Sequence, residues 1–244
     1  MRITEHVYVL SGSYYSAGGM TNVLGDVYAI DAPGGLILID SGYSKDALAI
    51  ITENLAYHKL PKTPKRIIIT HAHYDHCGNA RAYQETGAKI ITGAEDAYQC
   101  VNGGSQLMST PSPFDDMHIF PAFDPDDTIA EDCVKEICGI NIKFIKIPGH
   151  TPGHIAALID MDGKKILFTG DALNPQGSVL LDSVTLGWQG DVKYSRQAIV
   201  DSMMHLLDAA PDTDVILPGH GKICMKNGAA MIRLAAQTAF LTMR

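Results

Sequence analysis

Residues 71 to 76 read His71-Ala72-His73-Tyr74-Asp75-His76, directly after the run Arg66-Ile67-Ile68-Ile69-Thr70. Beta-branched residues in such a run read as a buried strand, so three imidazoles and a carboxylate emerge at its C-terminal edge. In an extended segment His71 and His73 project to the same side, because strand side chains alternate with period two. Asp75 and His76 then fall where Gly78 and Asn79 open a helix expected over Asn79 to Thr86. Two ligand pairs are thereby aimed at neighbouring points, an arrangement for two metal ions.

Further ligands belong where an apolar strand ends at glycine or proline. Three such places occur: Ile145-Lys146-Ile147-Pro148-Gly149-His150, Ile166-Leu167-Phe168-Thr169-Gly170-Asp171 and Val215-Ile216-Leu217-Pro218-Gly219-His220. Each delivers one His or Asp just past a strand. With the first segment they supply five histidines and two aspartates.

This ordered set, His71, His73, Asp75, His76, His150, Asp171 and His220, resembles the motifs of the metallo-beta-lactamase-fold superfamily of metal-dependent hydrolases. The resemblance runs from Val7 to about Ala230. It implies an αββα sandwich of two mixed sheets with flanking helices, forming a single domain over residues 1–244 whose two related halves meet near 125–140. It also implies that His71, His73 and His150 hold one metal, that Asp75, His76 and His220 hold the other, and that Asp171 bridges them. Nitrogen and carboxylate ligands without thiolate suit two zinc ions, and iron or manganese as well. Two divalent ions, two aspartates and one hydroxide leave about one net positive charge to favour a developing oxyanion. The chemistry expected is attack by an activated hydroxide on an ester, lactone or thioester carbonyl of a small molecule, with Asp75 as the catalytic residue.

The branch is less constrained than the chemistry. Beta-lactamases of the resembling fold generally carry cysteine or serine where Asp171 stands, which disfavours that activity. Glyoxalase-II-type thioesterases share the ligand set but carry a helical extension, and only about 24 residues follow His220. Acyl-homoserine lactonases match in length and in His150-Thr151-Pro152-Gly153-His154, yet no tyrosine follows Asp171 closely; Tyr194 lies farther on. A persulfide dioxygenase with one iron at a His71, His73, His150 and Asp171 site is the alternative from another class, and a non-catalytic metal-binding relative a third.

Composition narrows the partners. The formal charge of -8, without a Lys/Arg cluster, argues against nucleic acid. No stretch approaches the ~20 apolar residues of a membrane span, and the N-terminal pattern is an alternating strand with no secretory signal. Five cysteines, Cys77, Cys100, Cys133, Cys138 and Cys224, then suggest reduced thiols and a cytoplasmic protein. A small-molecule substrate is expected, and a homodimer is compatible with the sequence.

Strand-like runs occur at Val7–Leu10, Val27–Ile30, Leu36–Asp40, Ile67–Thr70, Lys89–Thr92, Ile142–Ile147, Ile155–Met161, Lys165–Thr169 and Val215–Leu217. Helices are expected after Ser44, from Ser195 to Ala209 and from Asn227 to Leu241, with Leu48, Ile51 and Leu55 on one face of the first. This periodicity alone supports mixed α/β structure. Gly35-Leu36-Ile37-Leu38-Ile39-Asp40 is weakly echoed by Gly163-Lys164-Lys165-Ile166-Leu167-Phe168. The long stretches Asn102–Asp127, with Met108, Phe114, Met117 and His118, and Leu173–Val192, with Trp188, are candidates for substrate selection. Asp40 reads either as a turn cap or as a carboxylate orienting a ligand imidazole. His154 is assigned a structural hydrogen-bonding role, and His6, His58 and His205 read as surface or satisfied residues.

Overall fold

Strands that are apolar on both faces need cover on both sides, and the chain provides it in four layers. The structure, a computed structural model, describes residues 1–12, 25–104, 119–177, 182–187, 189 and 193–243. One sheet takes β1 (Val7–Ser11), β2 (Val27–Ala32), β3 (Gly35–Ile39), β4 (Arg66–Ile68), β5 (Lys89–Gly93) and β6 (Asp127–Ile129), side by side in that order. The other has the order β13 (Val215–Pro218), β10 (Lys164–Gly170), β9 (Ile155–Met161), β8 (Ile140–Lys146), β7 (Cys133–Ile137). The chain passes from one sheet to the other between Ile129 and Cys133. A separate hairpin joins β11 (Asn174–Gly177) to β12 (Asp182–Thr185).

Period-two alternation sorts the strand residues between layers. In β3, Ile37 and Ile39 meet Ile142, Phe144, Ile166 and Phe168 of the opposite sheet, while Leu36 and Leu38 pack against Ile51 and Leu55 of α1 (Ser44–Tyr57). In β10, Ile166 and Phe168 face inward and Leu167 packs on Ile199 and Met203 of α5 (Arg196–Ala209) and on α6 (Gly228–Met243). The result is the αββα sandwich implied by the resemblance. No described helix is long and apolar enough to cross a membrane.

The weak sequence echo has a topological counterpart. The antiparallel β2–β3 hairpin is followed by α1 and then by parallel β4; the antiparallel β9–β10 hairpin is followed by α5 and then by parallel β13. Asp40 and Asp171 therefore leave equivalent strands β3 and β10, and the His71 segment and His220 leave equivalent strands β4 and β13.

Local expectations are met with adjustments. Ser195 caps α5, accepting the Ala198 N–H at 3.2 Å, and Ile199, Met203 and Leu206 are buried together. Ser44 accepts the Ala47 N–H at 3.4 Å. Leu48 is only partly buried on a face led by Ala47, Ile51 and Leu55. The helix expected over Asn79 to Thr86 is found as α3 (Ala80–Glu85), and a further short helix, α2 (Tyr74–Cys77), precedes it inside the histidine segment. The short strands β6, β7, β11 and β12 and the helix α4 (Ala97–Asn102) were not apparent from periodicity. None of the five cysteines forms a disulfide. His205 pairs with Asp132 at 2.8 Å, and His58 packs on Tyr8 and Tyr57.

His6, just before β1, ties the two sheets together. Its Nδ1 lies 2.6 Å from Asp162 Oδ1 in the β9–β10 turn, and its backbone N–H donates to Asp162 Oδ2 at 2.8 Å. The Asp162 hydrogen bond holds the imidazole above its ordinary value. Stability from a group raised on folding is complete below its unfolded pKa, ordinarily about 6.5, and is lost as pH rises through the folded value. Asp162→Asn, which suits the left-handed backbone there (φ 55), should therefore lower Tm by about 1–2 °C at pH 5.5 and by less at pH 9. Thermal melts at the two pH values check this; an equal loss at both would exclude the ionic contribution.

Candidate metal centre

Every ligand-type residue anticipated above lies at one edge of the sandwich, past the C-terminal ends of β4, β10 and β13 and in the loop after β8. His71, His73, Asp75, His76, His150 and Asp171 are buried, and the His220 side chain is 19% exposed, which leaves it at the mouth. Three groups among them can each hold a metal ion: His71, His73 and His150; His71, His76 and Asp171; and Asp75, His76 and His220.

The contacts divide into two clusters. His73 Nδ1 stands 3.1 Å from His71 Nε2 and 2.9 Å from His150 Nε2. His220 Nε2 stands 2.9 Å from Asp75 Oδ2 and 3.3 Å from His76 Nε2. Asp171 lies between the clusters. Its Oδ1 is 3.3 Å from His76 Nε2, and its Oδ2 is 3.5 Å from His150 Nε2 and 3.6 Å from His220 Nε2. The approach needs a glycine at 219, where a Cβ would come within 2.3 Å of Asp171 Oδ1.

The surrounding hydrogen bonds fix which ring nitrogens face inward. Asp40 Oδ1 accepts the Thr70 N–H at 2.7 Å, and Asp40 Oδ2 accepts the Thr70 hydroxyl at 2.9 Å. With its proton committed, Thr70 Oγ1 accepts from His71 Nδ1 at 3.1 Å, and Asp40 Oδ2 also accepts from His76 Nδ1 at 2.8 Å. Both rings thus keep a proton on the outer Nδ1 and turn Nε2 inward. The orienting role considered for Asp40 is the one found. Its backbone sits at φ 60, a left-handed conformation that suits Asp and Asn.

The electrostatics follow the same division. Burial, reinforced by neighbouring imidazoles, pushes His71 well below the usual histidine range and takes His150 down to about 3. Burial alone would lower His220 too, but Asp171 and Asp75 outweigh it and raise the ring to about 9. His76 is raised in the same way, by Asp75, Asp171 and Asp40. Despite burial, Asp75 and Asp171 are held below the carboxylate range by His76 and His220. Neutral imidazoles and anionic carboxylates are the forms that coordinate metal, so His71, His150 and the two aspartates already hold the coordinating form, whereas His76 and His220 would release a proton to a bound ion. Among the described residues Asp171 Oδ1 and His220 Nδ1 are buried without a hydrogen-bond partner, and ring nitrogens of the three-histidine cluster converge at about 3 Å. The donor set fits divalent cations.

His154 departs from expectation. Its ring is fully buried and neither nitrogen makes a hydrogen bond among the described residues; it packs on His71 at 4.7 Å and on His150 at 5.6 Å between ring centroids. Its structural part is played by backbone instead, its carbonyl accepting the Ile147 N–H. Tyr194 points its hydroxyl at Met243 Sδ, 3.3 Å away on α6, and so does not supply the tyrosine of a lactonase site. The β11–β12 hairpin does reach the centre: Asn174 Oδ1 accepts the His220 N–H at 3.4 Å, and Gly187 backs onto the His150 ring. Met108, Phe114, Met117, His118 and Trp188 lie outside the described residues.

Asp96 was missed. It is buried and accepts hydrogen bonds from Ala72, Thr151 and Gly153, all in segments that bear the histidines. Its signal was present in the sequence: Ile90-Ile91-Thr92-Gly93-Ala94-Glu95-Asp96 is another apolar run ending at glycine and followed by a carboxylate.

A family model described as the metallo-beta-lactamase superfamily matches residues 20–220. The chain is 28% identical to the probable metallo-hydrolase YflN of Bacillus subtilis, covering 87% of this chain and 88% of that protein. It is also 28% identical to the hydroxyacylglutathione hydrolase GloC of Haemophilus influenzae, over 64% of this chain and 68% of that one. Among solved structures, a Cronobacter sakazakii metallo-beta-lactamase matches with a TM-score of 0.74 at 21% identity, covering 99% of this chain and 91% of that one. The subclass B3 enzyme BJP-1 of Bradyrhizobium japonicum matches with a TM-score of 0.68 at 22% identity, covering 97% and 89%. At these identities the structural likeness speaks to the fold.

Asp40→Asn preserves the backbone conformation and removes the carboxylate that orients His76. Zinc affinity of the variant, measured by chelator competition, should fall about 10–100-fold. Unchanged affinity would show that Asp40 does not orient the site.

Proposed function

The chain belongs to the metallo-beta-lactamase superfamily, and on that premise we propose that it is a dinuclear, zinc-dependent hydrolase of an ester, lactone or thioester carbonyl in a small molecule. The observation that carries this reading is Asp171, whose carboxylate stands between the clusters: Oδ2 lies 3.5 Å from His150 in one and 3.6 Å from His220 in the other, and Oδ1 lies 3.3 Å from His76. In it, His71, His73 and His150 would hold one ion and Asp75, His76 and His220 the other, with Asp171 available to both. When bound, such ions supply Lewis acidity, acidifying water and polarising a carbonyl oxygen.

The chain's own groups complete the chemistry. Asp75 lies near the mouth with Oδ2 2.9 Å from His220 Nε2. Its ionised carboxylate accepts a hydrogen bond from the attacking water, orients it and takes up its proton for delivery to the leaving group. Asp40 and Thr70 keep the protons of His76 and His71 on the outer side of the rings throughout. The thioester within the proposed substrate class is supported by the hydroxyacylglutathione hydrolase relatives. The Asp75, His76 and His220 cluster offers a second place for an ion, which a single-iron dioxygenase would not use.

The test is kcat/KM of zinc-loaded protein on a homoserine lactone and on a glutathione thioester. A value of about 10⁴ M⁻¹s⁻¹ or more on one of them is expected, with Asp75→Ala and Asp171→Ala each lowering it by at least about 10²-fold while far-ultraviolet circular dichroism is retained. Iron-dependent oxygen uptake with a persulfide, in place of hydrolysis, would overturn the reading.

A further inference from the structure

We propose that Asp96 is a positioning residue that sets the spacing of His71, His73 and His150 and thereby controls metal affinity in that half of the centre, without touching the metal. This rests on the metal-binding reading above and adds to it how the three-histidine cluster is held in register.

The three histidines come from two separate loops. His71 and His73 follow β4, His150 follows β8, and 77 positions separate His73 from His150 in the chain. The bonds of Asp40 and Thr70 orient rings within the first loop. Asp96 joins the loops to each other. Its Oδ2 accepts the N–H of Ala72 at 2.9 Å and the Thr151 hydroxyl at 2.7 Å, and its Oδ1 accepts the Gly153 N–H at 2.7 Å. Ala72 is the residue between His71 and His73, and Thr151 adjoins His150. One carboxylate therefore fixes the backbone on both sides of the 2.9 Å approach of His73 to His150.

Two further observations set Asp96 apart from an ordinary buried acid. It occupies the N-cap position of α4, yet its side chain makes no cap bond there; its acceptors are given to the two loops instead. The packing beneath it is also backbone on backbone. A Cβ on Gly93 would meet Gly153 O, and a Cβ on Gly153 would come within 2.4 Å of the Asp96 nitrogen. This close seating keeps the carboxylate within reach of both loops. Metal–nitrogen bonds tolerate errors of only a few tenths of an ångström, so loosening the link penalises this cluster first. The Asp75, His76 and His220 cluster has no bond to Asp96 among the described contacts and is expected to be spared.

The experiment is zinc titration by competition with a chromophoric chelator, on metal-stripped wild type, Asp96→Asn, Thr151→Val and Thr151→Ser, with folding checked by circular dichroism. In Asp96→Asn one zinc equivalent should weaken about 10-fold or more, and the other should stay within about 2-fold. Thr151→Val, which loses a single bond, should weaken the same equivalent by a smaller factor, and Thr151→Ser should restore it. If Asp96→Asn does not fold, the comparison of Thr151→Val with Thr151→Ser decides. Unchanged constants in Asp96→Asn, or in Thr151→Val where only that variant folds, would overturn the proposal, as would equal weakening of both equivalents. Failure of the wild type itself to bind zinc would instead refute the metal-binding reading.

Discussion

The arrangement that dominates this molecule is a set of imidazole nitrogens turned toward one another in a buried pocket. His73 Nδ1 lies about 3 Å from both His71 Nε2 and His150 Nε2. Such nitrogens gain little from one another, and their desolvation is compensated only by a cation or a shared proton. The outer bonds from His71 to Thr70 and from His76 to Asp40 fix which nitrogen of each ring faces the pocket. Burial meanwhile disfavours protonation of His71 and His150. A divalent ion satisfies all these conditions together, which is why the surroundings make sense as scaffolding for metal.

The fold supplies that scaffolding economically. Each sheet contributes a hairpin, a helix and a parallel strand, and the equivalent strand ends carry Asp40 opposite Asp171 and the His71 segment opposite His220. Asp40 has become the carboxylate behind the histidines, whereas Asp171 faces the clusters themselves. One topological position thus provides both an orienting group and a ligand-type group. Their difference comes from local backbone: Asp40 turns back to Thr70 at φ 60, while Asp171 follows Gly170 into the space that Gly219 leaves open.

Much of this was legible in the sequence because the relevant strands are apolar on both faces and stop at glycine or proline next to a His or Asp. The seven ligand-type residues converge at one sheet edge for that reason. What periodicity did not reveal were elements with little apolar content, such as β7, whose Val134 is exposed, and the three-residue β6. The part played by Asp96 was hidden more deeply, because its partners are two backbone amides and a hydroxyl from loops distant in sequence. His154 was misjudged for a related reason: a histidine beside a ligand-type residue suggests a hydrogen bond, but here ring packing encloses it.

Where metal binds decides what this pocket is for. The most direct measurement is anomalous diffraction at the zinc edge from crystals of the zinc-loaded protein. Two peaks are predicted, one bounded by His71, His73 and His150 and the other by Asp75, His76 and His220, with Asp171 between them and bond lengths of about 2.0–2.2 Å. An absence of anomalous density among these residues, with zinc elsewhere or not bound at all, would contradict it.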